Sequence, residues 1–86
     1  MADKKRYNYA MELYREALNR FHGNTAVWAE AAWRLSIMLD EQMGMPNEAA
    51  DLWRQIMRRT PNSKIGRFAG ARIQKRIARS HRPTVL

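Results

Sequence analysis

Two stretches of this chain repeat, and the repeat restricts the folds open to it. Displacing the sequence by 39 positions lays Ala10, Tyr14, Ala17 and His22 over Ala49, Trp53, Ile56 and Pro61. A displacement of 38 lays Val27, Ala31, Arg34, Leu35 and Leu39 over Ile65, Ala69, Arg72, Ile73 and Ile77. Periods of roughly 20–50 residues mark architectures in which each supersecondary unit buries its apolar face on its neighbours. The one-residue difference between the two displacements falls in a loop, where insertions are tolerated. The first of four segments therefore corresponds to the third, and the second to the fourth.

The turn-forming clusters are His22-Gly23-Asn24-Thr25, Gly44-Met45-Pro46-Asn47, Thr60-Pro61-Asn62-Ser63 and the stretch from Ser80 to Pro83. Between them the spacing of apolar residues predicts helices over about 4–21, 25–43, 46–59 and 61–80, followed by a basic tail at 81–86. Tyr7, Ala10, Met11, Tyr14, Ala17, Leu18 and Phe21 share one face of the first. Val27, Trp28, Ala31, Ala32, Leu35, Met38 and Leu39 share a face of the second, and Ala49, Leu52, Trp53, Ile56 and Met57 a face of the third. Pro46 suits a first helical turn, where its missing N–H is not needed. Thr60 reads as the N-cap of the fourth helix, with Pro61 its first residue. In that helix Ile65, Ala69, Ile73 and Ile77 lie with Gly66 and Gly70. Each glycine weakens a helix by up to about 1 kcal/mol relative to alanine, which close packing offsets. No window alternates with period two for long enough to make a strand, so the expected fold class is all-α.

The pattern resembles the tetratricopeptide repeat (TPR) family in a divergent, long-period bacterial form. One unit runs from Thr25 to Pro61, with Trp28, Ala31, Ala32 and Leu35 in its first helix, Gly44 at the turn, and Ala49, Trp53, Ile56 and Pro61 in the closing run. Ala10, Tyr14 and Ala17 look like the second helix of an earlier unit, and residues 62–80 like the first helix of a later one, so the resemblance covers about 75 of the 86 residues. The period exceeds the family's usual length of about 34, and His22 stands where a closing proline is common. The resemblance implies antiparallel helical hairpins in a right-handed superhelical stack. It also implies a protein-interaction module, either a short adaptor or part of a longer array, whose concave surface is lined by the first helix of each unit. Residues 25–43 contain Arg34 as their only base and no asparagine, so the terminal-carboxylate specificity of chaperone-binding members does not carry over.

The net charge of +8 is unevenly placed. All eight acids lie in residues 1–51, where six bases leave a charge of −2; residues 52–86 hold ten bases and no acid, for +10. Such a concentration predicts acidic partners. Lys64, Arg67, Arg72, Lys75, Arg76 and Arg79 occupy about half the wheel of the fourth helix, together with Phe68. With no acid in the segment, neutralisation at i,i+4 within the helix is excluded. A protein reading docks this stripe on an acidic surface or segment, or on the acidic half of another copy in a homo-oligomer. A nucleic-acid reading uses the bases for phosphates and Phe68 for stacking. A membrane-surface reading conflicts with the need for the apolar face in the core.

No stretch approaches the ~20 apolar residues of a membrane span, and residues 1–6 lead into Tyr7 without the apolar stretch of a secretory signal. The expected location is cytoplasmic, unless the chain is a fragment of an exported or membrane-anchored parent. The absence of cysteine removes disulfides, thiolate zinc sites and a thiol nucleophile. His22 and His81 fall in an inter-helix segment and the tail, while the Glu12/Glu16 and Asp40/Glu41 pairs read as solvated helix faces. There is no glycine-rich phosphate loop, no His-x-x-x-His and no nucleophile elbow. The expectation is a non-enzyme with no cofactor and no metal.

Trp28 and Trp53 fit the core faces of their helices. Trp33 lies roughly 120–160° from the Val27/Leu35 side on a helical wheel, beside Ile37 and flanked by Glu30, Asp40 and Glu41. Two readings follow: Trp33 and Ile37 are an exposed anchor for a partner, or this second face packs on the first or fourth helix. The expected partner site therefore comprises Trp33, Ile37, Glu30, Asp40 and Glu41 together with the basic face around Phe68.

Overall fold

The computed structural model describes residues 4–80, and the side chains of residues 6–77. It contains four helices, α1 (Lys4–Arg20), α2 (Thr25–Glu41), α3 (Pro46–Arg59) and α4 (Lys64–Ser80). Among the described residues there is no strand, and no helix is long and apolar enough to cross a membrane. The tail expected at 81–86, with His81, lies outside the described residues.

Connections of four residues bring each helix back alongside its predecessor. α2 packs on α1, α3 and α4, and α3 packs on both α2 and α4. α1 rests on α2 and reaches α3 through the exposed ion pair of Arg15 with Glu48 (2.9 Å). The central position of α2 explains its composition. Trp28, Ala29, Ala31, Ala32, Leu35, Ser36 and Leu39 are all buried, and the three alanines let neighbouring helices approach from more than one side.

Local chemistry sets the helix ends. Asn24 caps α2, its Oδ1 accepting from the Val27 N–H at 3.2 Å. The helix stops at Glu41 rather than residue 43: the Met43 N–H reaches back to the Met38 carbonyl, the Met45 N–H reaches the Leu39 carbonyl, and Gly44 takes the left-handed conformation (φ 63°) that reverses the chain. Pro46 occupies the first turn of α3. Its far end corrects the sequence-based expectation. Thr60 is the C-cap of α3, not the N-cap of α4, because its hydroxyl is already donated to the Ile56 carbonyl at 2.8 Å. Pro61 lies in the turn, and α4 begins at Lys64, where Ser63 Oγ accepts from the Gly66 N–H at 2.9 Å. Gly66 sits directly beneath this turn, and a Cβ there would collide with the Thr60 carbonyl.

The core is a single cluster running from Met11 through α2 and α3 to Ala69. Among the described residues its one buried polar side chain is Ser36, which accepts from Trp53 Nε1 at 2.8 Å and donates to the Trp33 carbonyl at 2.6 Å. At the opposite end of the α2–α3 pair, the Arg59 guanidinium lies 4.2 Å from the centre of the Trp28 ring and donates to the His22 carbonyl at 2.6 Å. This ties the end of α3 to the α1–α2 turn. Its Nη1 is buried without a hydrogen-bond partner. Phe21, Val27, Met57 and Ile77 were expected on core faces but are exposed. Phe21 and Val27 flank the turn between α1 and α2, and Ile77 lies near the end of α4.

Replacing Ser36 by alanine strands the buried Trp53 N–H, so we expect a loss of about 1–3 kcal/mol. Trp53→Ala is expected to remove about 3–5 kcal/mol. Thermal denaturation followed by circular dichroism measures both, and a Ser36→Ala variant as stable as the parent would show that the indole N–H finds another acceptor.

Candidate partner-binding groove

Because α2 touches both α1 and α4 while those two do not pack on each other, a groove opens over α2. Its volume is about 560 Å³. α1 supplies Tyr7 and Tyr14, α2 supplies Trp33, Ile37, Met38 and the Glu30/Arg34 pair, and α4 supplies Ile65 and Phe68. A second depression of about 370 Å³ lies beyond the first, between Trp33, Phe68, Ala71, Arg72 and Lys75. Trp33 and Phe68 line both. Their ring centres are 5.8 Å apart with planes tilted by 35°, so the two aromatics form a ridge between the depressions.

The position of Trp33 combines both readings drawn from its wheel angle. It packs on α4 through Phe68, and it remains half-buried at the wall of the groove. The hydrogen bond from Ser36 Oγ to its backbone carbonyl fixes the turn of α2 that carries it. Ile37 lies in the same wall.

The expected acids are paired internally. Glu30 accepts from Arg34 at 3.1 Å. Asp40 and Glu41 share Arg72, at 3.4 and 3.1 Å, and the same guanidinium lies 6.0 Å from the Trp33 ring centre. Arg72 thus crosses from α4 to the end of α2 and closes one end of the ridge. Arg76 donates to the Asn47 side chain at the start of α3. Three of the expected bases stay exposed on α4: Lys64, 5.9 Å from the Phe68 ring centre, with Arg67 and Lys75. The Arg79 side chain lies outside the described residues.

The structure therefore gathers Trp33, Ile37, Phe68, Arg72 and Lys75 around two adjoining depressions, with Lys64 at the rim. It adds Tyr7, Tyr14, Arg34, Met38 and Ile65, whose periodicity or charge marked them for other roles. Among the described residues no three His, Asp or Glu side chains converge as metal ligands would. Comparison with protein-family models, with curated proteins and with solved structures finds no match.

Aromatic pairs of this geometry contribute about 0.5–1.5 kcal/mol beyond burial, so a double-mutant cycle over Trp33→Ala and Phe68→Ala should return a coupling in that range. Denaturant unfolding of the four proteins measures it. Simple additivity would mean that the rings do not support each other in solution.

Proposed function

We propose that this chain is a non-enzymatic interaction module built on helical repeats of the TPR type, and that it binds an acidic segment of a partner protein in the groove over α2. The observation that carries this reading is the Trp33–Phe68 ridge, two large aromatic side chains left accessible between depressions of drug-to-peptide scale. Aromatic residues that become fully desolvated in well-packed pockets on binding dominate binding energies at protein interfaces. The repeat reading draws support from the packing order, in which α2 meets both the preceding and the following helix and α3 meets α2 and α4. It also draws support from Gly44, which takes the conformation a helix-to-helix turn requires.

Charge placement favours a peptide over a nucleic acid. The exposed bases Lys64, Arg67 and Lys75 all belong to α4, whereas Glu30, Asp40 and Glu41 belong to α2. A nucleic acid presents phosphate along its whole length and would bring charge against those acids. A peptide with carboxylates along one edge meets the α4 side alone.

Fluorescence anisotropy with an acidic, aromatic-containing peptide and with single-stranded RNA, at about 50 and 200 mM salt, tests the reading. We expect the peptide to bind and to weaken as salt rises, with Trp33→Ala and the Lys64→Glu/Lys75→Glu variant each losing about tenfold or more. RNA binding tighter than the peptide, with a steep salt slope, would replace the protein reading by a nucleic-acid one.

A further inference from the structure

We infer that the two depressions beside the Trp33–Phe68 ridge are unlike subsites, the larger taking a bulky apolar side chain of the bound segment and the smaller a carboxylate. This rests on the groove reading above and narrows its ligand, from an acidic segment in general to one with an apolar anchor and an acid at a set spacing.

The larger depression carries no excess charge. Among the described residues Glu30 and Arg34 are the charged side chains that line it, and they satisfy each other at 3.1 Å. Most of the remaining wall is aromatic or aliphatic, with Tyr7 and Tyr14 from α1 and Ile37, Met38 and Ile65 from α2 and α4. A carboxylate entering here would shed water beside Glu30 and meet no unpaired cation, which is costly. An apolar side chain gains by burial.

The smaller depression is different. Arg72 and Lys75 line it with Trp33, Phe68 and Ala71, and none of these described residues is an acid. Arg72 is already engaged, since Asp40 and Glu41 accept from it at 3.4 and 3.1 Å. Lys75 is exposed, and it forms no ion pair among the described residues. Its ammonium therefore stands at the mouth of an aromatic-walled depression, where a carboxylate is partly shielded from water and the attraction exceeds that on an open surface. Lys64 and Arg67 line neither depression.

The helix sets the spacing. Ile65 in the wall of the larger depression and Arg72 in that of the smaller are seven residues apart on α4, or about 10 Å at a helical rise of ~1.5 Å per residue. An extended segment covers that distance in about three residues at ~3.3 Å each.

Fluorescence anisotropy with three labelled, end-blocked peptides at about 50 mM salt tests the assignment. The first has a central phenylalanine with glutamate at that spacing on each side, so that either chain direction is served, and no other charge. The second has glutamine for both glutamates, and the third alanine for the phenylalanine. We expect the first to bind about threefold or more tighter than the second and about tenfold or more tighter than the third. Lys75→Gln should abolish the preference for glutamate over glutamine and keep that for phenylalanine. Lys64→Gln and Arg67→Gln remove the same charge from α4 outside both depressions and should keep both preferences. Equal binding of the glutamate and glutamine peptides would overturn the carboxylate subsite and leave an apolar groove. A glutamate preference that survives Lys75→Gln, or that is lost equally in Lys64→Gln or Arg67→Gln, would do the same. Equal binding of the phenylalanine and alanine peptides would overturn the apolar subsite. Failure of all three to bind would remove the groove reading, and both subsites with it.

Discussion

The hydroxyl of Ser36 is the point on which the rest of the molecule turns. It lies fully buried between two tryptophans, accepting from the indole of Trp53 and donating to the carbonyl of Trp33. A buried indole N–H without an acceptor is expensive, so the bond fixes the rotation of α2 against α3. Once that rotation is set, Leu35 and Leu39 face the core, and Trp33, two positions before Leu35, can only point toward α1 and α4. The groove wall is thus a by-product of core geometry. The ridge aromatic and the core indole are held by the same oxygen.

Arginine does the equivalent work at the periphery. Arg59 closes the α3 end over Trp28, and Arg72 joins α4 to the last turn of α2 through Asp40 and Glu41. Planar guanidinium groups suit these places because one side chain can contact a ring or two carboxylates while donating in several directions. Exposed ion pairs contribute little on their own. The value of Arg72 lies in placement, since it separates acids that are satisfied from bases on α4 that are not.

Much of this fold was legible in the chain. The apolar spacing located four helices within a few residues, because a 3.6-residue period survives any tertiary arrangement. Gly44 and Pro46 announced a turn for reasons of backbone conformation alone. Thr60-Pro61 misled for an instructive reason: the pair has the chemistry of a helix start, but the threonine hydroxyl was already committed to the end of α3. The role of Ser36 was invisible, since its partner is on another helix and no linear pattern couples a serine to a tryptophan 17 positions away. Trp33 and Phe68 were both marked, one by its wheel angle and one by its basic surroundings, yet their contact depends on how α2 crosses α4. Tyr7 and Tyr14 read as core residues. Tyr14 does pack against the core, but both rings stay half-buried and line the groove, because α1 packs on α2 alone.

That last arrangement has a dynamic consequence. Helices opened by local fluctuation are those with the fewest buried contacts, and α1, which among the described residues adds only Met11 to the buried core, is the element packed on α2 alone, with an exposed ion pair to α3. The tyrosine wall therefore belongs to the least protected part of the molecule, while the tryptophan wall belongs to the most protected. Amide exchange along the chain would be graded accordingly, fast in α1 and slow in α2. A ligand bridging the two walls would shed part of its binding energy in quieting α1, so its affinity is governed by a helix that contributes little to the core.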